Sequence, residues 1–456
     1  MRWQAGDILS FTRGQLVSGK PETIFTGVST DSRHTTRGEL FIALMGPTYD
    51  AHDFILEVHE RGAAGAVVMK EIQPIPMAVI QVDDTLEALG DIAAHTRASF
   101  APVVVGITGT TGKTTVKEIC ASILSLQGNC LKTEKNYNNL IGVPLSLLKM
   151  NATHEFAVIE MGSNSPGEIN RLSSIAQPTV SILTNLHPAH LNGFGDISGV
   201  IREKQAIFNN TKPNGIAVIN PYLDNMNKIT ISKDIRQITY SDTLKADISL
   251  TEIIHQGLDG TDLIIDLAGN SIRTRVNLPG RHNVLNVLAA CACATGLEID
   301  PEIIAEGIKN ARFPGMRSEI IVSDHITILN DSYNASPASM KAALEMLNYA
   351  PHACKVAVIG DMLELGQESK YWHEQLGKWI SEAQIDTLVI TGQMAEVVYD
   401  SAVSGGMDAN SIYQAQSIDD IHTILSEMLD KDAVVLIKAS RALNLDRVAS
   451  FLKAVA

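Results

Sequence analysis

Cysteine is scarce. The five in 456 residues, at positions 120, 130, 291, 293 and 354, form no Cys-x-x-Cys pair and mostly sit in apolar runs. That pattern excludes a disulfide framework, and reduced core thiols point to the cytoplasm. Positive charge is also in deficit, with 36 Lys and Arg against 51 Asp and Glu and a net charge of −15. Broad binding to nucleic acid or to an anionic membrane needs a basic face, so both are excluded, and an anionic ligand has to be met locally. Long apolar runs are missing too: the stretch around residues 285–297 is interrupted and too short to span a bilayer. Met1-Arg2-Trp3-Gln4 leads into no apolar core, so no secretion signal or membrane insertion is expected. Neither internal repeats nor low-complexity tracts are visible. What remains is a chain that is 45% apolar, ample for several buried cores, with a length that suggests about three domains.

The chain is organised around Val103-Val104-Val105-Gly106-Ile107-Thr108-Gly109-Thr110-Thr111-Gly112-Lys113-Thr114-Thr115. A β-branched run, a Gly/Thr turn and a helix start follow one another. Val116, Ile119, Cys120, Ile123 and Leu124 recur three and four apart, so one helix face buries while the first turn stays open. Unpaired N–H groups at that turn favour an anion. Gly109 and Gly112 let backbone amides approach phosphate oxygens, Lys113 supplies a point charge, and the Thr114 hydroxyl suits Mg²⁺. The general phosphate-loop pattern wants a glycine five residues before Gly112, where Ile107 stands. An ordinary strand, turn and helix with a surface lysine is the bland alternative, and the nucleotide cradle is the better reading.

Residues 1–82 read as a small α/β domain, with strands at Leu40–Leu44, Ala66–Met69 and Ala78–Val82 and a helix from Asp53 to Arg61. Its distinctive text is Ser29-Thr30-Asp31-Ser32-Arg33, where hydroxyls and an arginine at a turn suit a second phosphate-bearing ligand and equally suit a capped, solvated loop. Residues 83–313 read as a doubly wound central domain: a connecting helix at Thr85–Phe100, then alternating strands and helices. The strand Phe156–Ile159 delivers Glu160 at its carboxyl end, and Val180–Leu183 delivers Thr184, Asn185 and then His190. A carboxylate and an imidazole near a triphosphate are sensible Mg²⁺ ligands, although imidazole is not the usual choice for so hard a cation. Asn136, Asn138 and Asn139 lie in an amide-rich loop that could meet a polar ligand or simply make turns. Lys204, in a short amphipathic helix, reads as an ordinary solvated lysine. Weak strands and turns fill residues 215–278, with a hairpin turn at Ala268-Gly269-Asn270. After Phe313-Pro314-Gly315, strands at Ile326–Leu329, Val356–Ile359, Leu388–Ile390 and Val434–Ile437 alternate with helices, giving a Rossmann-like domain over residues 314–456.

Over essentially its whole length the chain resembles the Mur ligases of bacterial cell-wall synthesis. Thr108-Gly109-Thr110-Thr111-Gly112-Lys113-Thr114-Thr115 is similar to the family's shortened phosphate loop, and Asn185, His190 and Lys204 to its metal-and-carbamate segment. The dipeptide-adding branch is suggested by Asn136-Tyr137-Asn138-Asn139-Leu140-Ile141-Gly142, Asp331-Ser332-Tyr333-Asn334-Ala335-Ser336-Pro337 and Gly360-Asp361-Met362-Leu363-Glu364-Leu365-Gly366. The resemblance implies a cytoplasmic, monomeric ATP-dependent ligase of peptidoglycan synthesis, tied to cell shape and division. It would join D-alanyl-D-alanine to UDP-N-acetylmuramoyl-tripeptide through an acyl phosphate. It further implies that Gly109, Thr110, Thr111, Gly112, Lys113, Thr114 and Thr115 hold ATP together with Asn283, Arg317, Asp331 and Asn334. Thr114 and Glu160 would ligate one Mg²⁺, and His190 and a carbamylated Lys204 a second. Lys113, Glu160, His190 and Lys204 would form the catalytic set. Ser29, Asp31, Ser32 and Arg33 would meet the uridine nucleotide, and Asn138 and Asn139 the muramoyl peptide. The sequence departs from the branch pattern at Asn330-Asp331, where two acids are usual, at Ser336-Pro337, where Asn-Pro is usual, and at Lys438-Ala439-Ser440-Arg441, where glycine stands in place of Ala439. A sister ligase adding one amino acid, a folylpolyglutamate synthase and a nucleotide-driven switch are the rival readings.

Overall fold

The computed structural model describes residues 3–323, 326–429 and 432–455. Among the described residues three large sheets, each with its own apolar core, follow one another along the chain, and a two-stranded antiparallel pair, Trp3–Gln4 with Ile24–Phe25, accompanies the first. The first has five strands in the order Gln15–Ser18, Ala78–Gln81, Gly65–Val68, Leu40–Ile42 and Val28–Ser29, parallel apart from the first. Two differences from the expected elements stand out here. The helix expected at 53–61 divides into a 3₁₀ turn at Ala51–Phe54 and an α-helix at Ile55–Glu60. The Asp50 side chain accepts from the His52 amide at 3.0 Å and starts the tighter turn. An unexpected helix, Ala5–Thr12, buries Ala5 and Ile8 and opens with a reciprocal Gln4 and Asp7 cap.

The helix Thr85–Phe100 runs as expected, capped by Asp84, whose carboxylate accepts from the amides of Leu86 at 2.7 Å and Glu87 at 3.0 Å. Its Leu89 and Ile92 enter the first core while Ala93 enters the central one, so this helix ties the two together.

The central sheet has nine strands in the order Asn270–Val276, Gly260–Leu267, Ile248–Gly257, Arg236–Ser241, Ile216–Ile219, Val180–Leu183, Val103–Thr108, Phe156–Glu160 and Cys130–Lys132. Its inner strands are mostly apolar and rich in Val and Ile because both faces are covered. Val105 and Ile107 face helices Lys113–Leu124 and Arg281–Gly296, whereas Val104 and Ile159 face Gly142–Leu147 and Glu168–Ala176. The stretch from 215 to 278 is more regular than its sequence suggested. Ile248–Gly257, Gly260–Leu267 and Asn270–Val276 form an antiparallel meander, and the Ala268-Gly269 turn has φ of 52° and 101°, the left-handed pair that a two-residue hairpin needs.

The third sheet runs Glu319–Val322, Ile326–Asn330, Ala433–Lys438, Cys354–Ile359, Thr387–Thr391 and Ile412–Ala415, parallel except at its first strand. Helices Pro337–Asn348 and Ser369–Glu382 cover one face, Ile418–Met428 and Asp446–Val455 the other. This is the doubly wound, Rossmann-like arrangement. All five cysteines are free thiols. Among the described residues no helix is long and apolar enough to cross a membrane.

Candidate active site

In open parallel sheets ligands gather beyond the carboxyl ends of the strands. There the central and third sheets face each other across a cleft of about 920 Å³. The phosphate loop forms one wall. Gly109 and Gly112 have φ of 141° and 79°, and a Cβ would collide with Thr184 Oγ1 at the first and Asn286 Oδ1 at the second. Backbone approach and handedness therefore both require glycine there. The loop is braced from behind: the Thr111 amide donates to Asn185 Oδ1 at 3.0 Å, Thr184 Oγ1 donates to the Thr111 carbonyl at 2.6 Å, and the buried Tyr240 hydroxyl donates to the Thr184 carbonyl at 3.0 Å. Lys113 folds back over the loop, donating to the carbonyls of Gly109 at 2.8 Å and Thr110 at 2.9 Å. Burial pushes its ammonium down to about 8 against the pull of Glu160.

Behind the loop lies a buried polar relay. Thr114 Oγ1 donates to Glu160 Oε2 at 2.9 Å, Asn138 Nδ2 donates to Glu160 Oε1 at 2.8 Å, and the Glu160 amide donates to Thr133 Oγ1 at 3.0 Å. Glu160 is 1% exposed, and among the described residues no cationic group lies within ion-pair distance of it. A buried carboxylate and hydroxyl side by side, beside a phosphate cradle, fit a hard divalent cation. Among the described residues no three His, Cys, Asp or Glu side chains cluster as a ready-made metal cage, as suits a cation that shares its shell with phosphates and waters.

His190 lines the same end of the cleft, and Lys204 lies buried behind it against Ser163, which also lines the cleft. Lys204 is only 3% exposed: Nζ donates to Ser163 Oγ at 2.7 Å and lies 5.5 Å above the Phe194 ring. The reading of Lys204 as an ordinary solvated helix lysine is therefore wrong for this fold. Burial, with Lys113 nearby, pushes its amine down to about 7. His190 stands at φ 52° and its Nδ1 bonds the Glu364 carboxylate of the third domain. Burial holds its imidazolium below the usual range despite that carboxylate.

The third domain supplies the opposite wall. Arg317 stacks its guanidinium 3.8 Å over the Tyr333 ring. Asp331 accepts from the Ser318 amide at 2.9 Å and pairs with Lys438, which also donates to the Asn334 carbonyl at 3.1 Å. The Asn334 side chain is exposed in the cleft. On the central side Asn283 and Asn286 are joined at 2.9 Å, and Asn283 Nδ2 donates to the Pro279 carbonyl at 2.7 Å. Asn138 and Asn139 line the cleft, but Asn139 also caps helix Gly142–Leu147, accepting from the amides of Ile141 at 3.2 Å and Gly142 at 2.8 Å. Ser29, Asp31, Ser32 and Arg33 stand apart from this cleft in the first domain. There Arg33 grips Asp31 in a two-pronged contact, at 2.9 Å through Nε and 2.7 Å through Nη2.

Sequence reasoning gave no role to Lys438, Glu364, Ser163 or Asn286. Lys438 had a signal, a lysine closing an otherwise apolar strand. Glu364 sits in a quoted motif, while Ser163 and Asn286 carry no signal of their own.

Comparisons with known proteins give the chain a family and a fold. The Mur ligase middle domain family matches residues 107–294, and the Mur ligase glutamate ligase domain family matches residues 316–441. A UDP-N-acetylmuramoyl-tripeptide–D-alanyl-D-alanine ligase of Escherichia coli is 35% identical over 425 residues, 92% of each chain. The crystal structure of MurF from Acinetobacter baumannii superposes with a TM-score of 0.92 at 31% identity, covering 100% of this chain and 99% of that one. A Thermotoga maritima MurF ligase in complex with ADP gives 0.85 at 27% identity, over 94% of this chain and 97% of that one.

Proposed function

The chain belongs to the Mur ligase family, and from that premise we propose that it joins D-alanyl-D-alanine to UDP-N-acetylmuramoyl-tripeptide at the expense of ATP, yielding the UDP-linked pentapeptide, ADP and phosphate. The observation that carries the reading is the single cleft in which the phosphate loop, the Thr114–Glu160 pair and the third-domain wall face one another. The ADP bound to a relative of the same fold supports the nucleotide. We assign the UDP-linked substrate to residues 1–82 and the central face, ATP to the cleft between residues 83–313 and 314–456, and the dipeptide to the third domain. The chain acts as a monomer in the cytoplasm, a location supported by its free thiols.

The chemistry follows from positioning and charge. Loop amides and Lys113 hold the β- and γ-phosphates, and Asn283, Arg317, Asp331 and Asn334 hold the nucleoside and phosphate contacts. The terminal carboxylate of the tripeptide attacks the γ-phosphorus, ADP leaves, and an acyl phosphate forms. The dipeptide amine then adds to the acyl carbon, and the tetrahedral adduct collapses with loss of phosphate. Lys113 follows the moving negative charge. Thr114 with Glu160, and His190 with a carbamylated Lys204, are the groups that would hold two Mg²⁺ ions. Such ions neutralise the phosphoryl oxygens. For carbamylation the neutral Lys204 amine adds to CO₂, a C–N bond forms and a proton leaves. The depressed titration of that amine supports this step, because only the neutral form is nucleophilic. The test is isotopic: with ¹⁸O in the tripeptide carboxylate, mass spectrometry should find one labelled oxygen in the released phosphate. Unlabelled phosphate would overturn the acyl-phosphate route.

A further inference from the structure

One contact in the cleft has no part in the chemistry above. Glu364 reaches from the loop after strand Cys354–Ile359 to His190, 174 residues away in the central domain, and takes its Nδ1. The Glu364 carbonyl accepts from the Asn192 amide at 3.3 Å, so side chain and backbone engage the same turn. Both partners hold left-handed backbone, His190 at φ 52° and Glu364 at φ 63°, which non-glycine residues keep only where the surroundings demand it. The Glu364 loop is rigidly mounted. The Leu363 amide donates to Ser440 Oγ at 2.9 Å, the Met362 amide to His373 Nε2 at 3.0 Å, and Asp361 accepts from the amides of Gln393 at 2.7 Å and Met394 at 3.1 Å. The Glu364 side chain is itself 52% exposed, and ion pairs that open to water add little to stability. Two strained residues and a braced loop around a pair of so little stabilising value point to a role in the site.

Resting on the function proposed above, we infer that Glu364 is the positioning residue of His190. A carboxylate on Nδ1–H fixes the ring in the tautomer whose Nε2 carries the lone pair. Because that carboxylate belongs to the third domain, the His190 end of the cleft is complete only while the third domain is docked. The domain that brings the amine thus also sets the ring at the phosphate end, which confines ATP turnover to the state where the acyl phosphate has a nucleophile other than water.

The first test needs no substrate. In full-length protein labelled with ¹⁵N-histidine, the His190 ring is assigned by its loss in His190→Gln. Long-range ¹⁵N–¹H spectra should show the Nδ1–H tautomer in the wild type and a tautomer mixture in Glu364→Ala. In turnover, Glu364→Ala should lower kcat roughly 10- to 100-fold, as loss of a partner behind a ligand does. The KM for D-alanyl-D-alanine should stay within about twofold. Glu364→Gln, whose amide oxygen still accepts from Nδ1–H, should recover most of that loss. An unchanged His190 tautomer in Glu364→Ala would overturn the inference. So would a rise in dipeptide KM at constant kcat, which would make Glu364 a contact for the substrate ammonium. Failure of the wild type to release ADP with the proposed substrates would sink the function and leave the tautomer result to be judged by itself.

Discussion

Replacing Lys204 with Met should make the protein more stable and abolish its activity at once. Lys204 is 3% exposed, its amine has only Ser163 as a hydrogen-bonding partner among the described residues, and its titration falls from 10.5 to about 7. At about 1.4 kcal/mol per pH unit, the charged form costs the fold up to roughly 5 kcal/mol relative to the unfolded chain. Methionine keeps the length and the contact with Phe194 without the charge. Replacing buried charge by apolar volume restores roughly 1–4 kcal/mol, less about 1 kcal/mol for the stranded Ser163 hydroxyl. A net gain of up to about 3 kcal/mol at pH 6 should raise the melting of a domain of this size by up to roughly 12 °C. The sign of the pH dependence is fixed. Between pH 7 and 10.5 the unfolded lysine binds a proton that the folded one does not, so wild-type stability rises across that window and the penalty is complete below it. The advantage of Lys204→Met should therefore be widest at pH 6 and close by about pH 9, because wild-type stability gains about 1.4 kcal/mol per pH unit above 7. Scanning calorimetry in CO₂-free buffer reads both values, and added bicarbonate should raise the melting of the wild type alone. A variant that melts below the wild type at pH 6, or a gap that ignores pH, would refute the reasoning.

Lys113→Ala should cut turnover by roughly 10²- to 10³-fold, because it removes the charge that follows the transferring phosphoryl group. Its far-UV circular dichroism should match the wild type, and near-normal turnover would remove this loop from the chemistry. Gly112→Ala forces a side chain onto φ 79° and into Asn286 Oδ1. The KM for ATP should therefore rise at least about tenfold while the domain still folds, at a cost of roughly 1–3 kcal/mol. An unaltered KM would mean that the loop amides do not grip phosphate.

The strand, loop and helix around Lys113 were legible because three independent signals coincide: a β-branched run interrupted only by Gly106, glycines where φ is positive, and apolar residues three and four apart. The Rossmann-like strands were legible for the same reason, since burial on both faces leaves nothing but apolar text. The meander after residue 241 was not, because Ile248–Gly257 is largely open on one face and carries irregular register against its partner. Helix Ala5–Thr12 escaped because eight residues with two fully buried positions give almost no period. In the site, residues next to the loop could be read from spacing, whereas Lys204 looked like a solvated helix lysine until tertiary packing buried it. The His190–Glu364 contact could not be read at all, because it depends on how two separately folded sheets face each other.

The central claim is the identity of the two substrates, and coupled ADP release measures it most directly. With UDP-N-acetylmuramoyl-tripeptide and ATP present, D-alanyl-D-alanine should drive ADP release, while free D-alanine, L-alanine or L-lysine should give little. Ligation is predicted to need all three ligands in the cleft at once. A single free amino acid that serves better than the dipeptide would replace this account with that of a sister ligase, and ADP release indifferent to both co-substrates would leave only a nucleotide hydrolase.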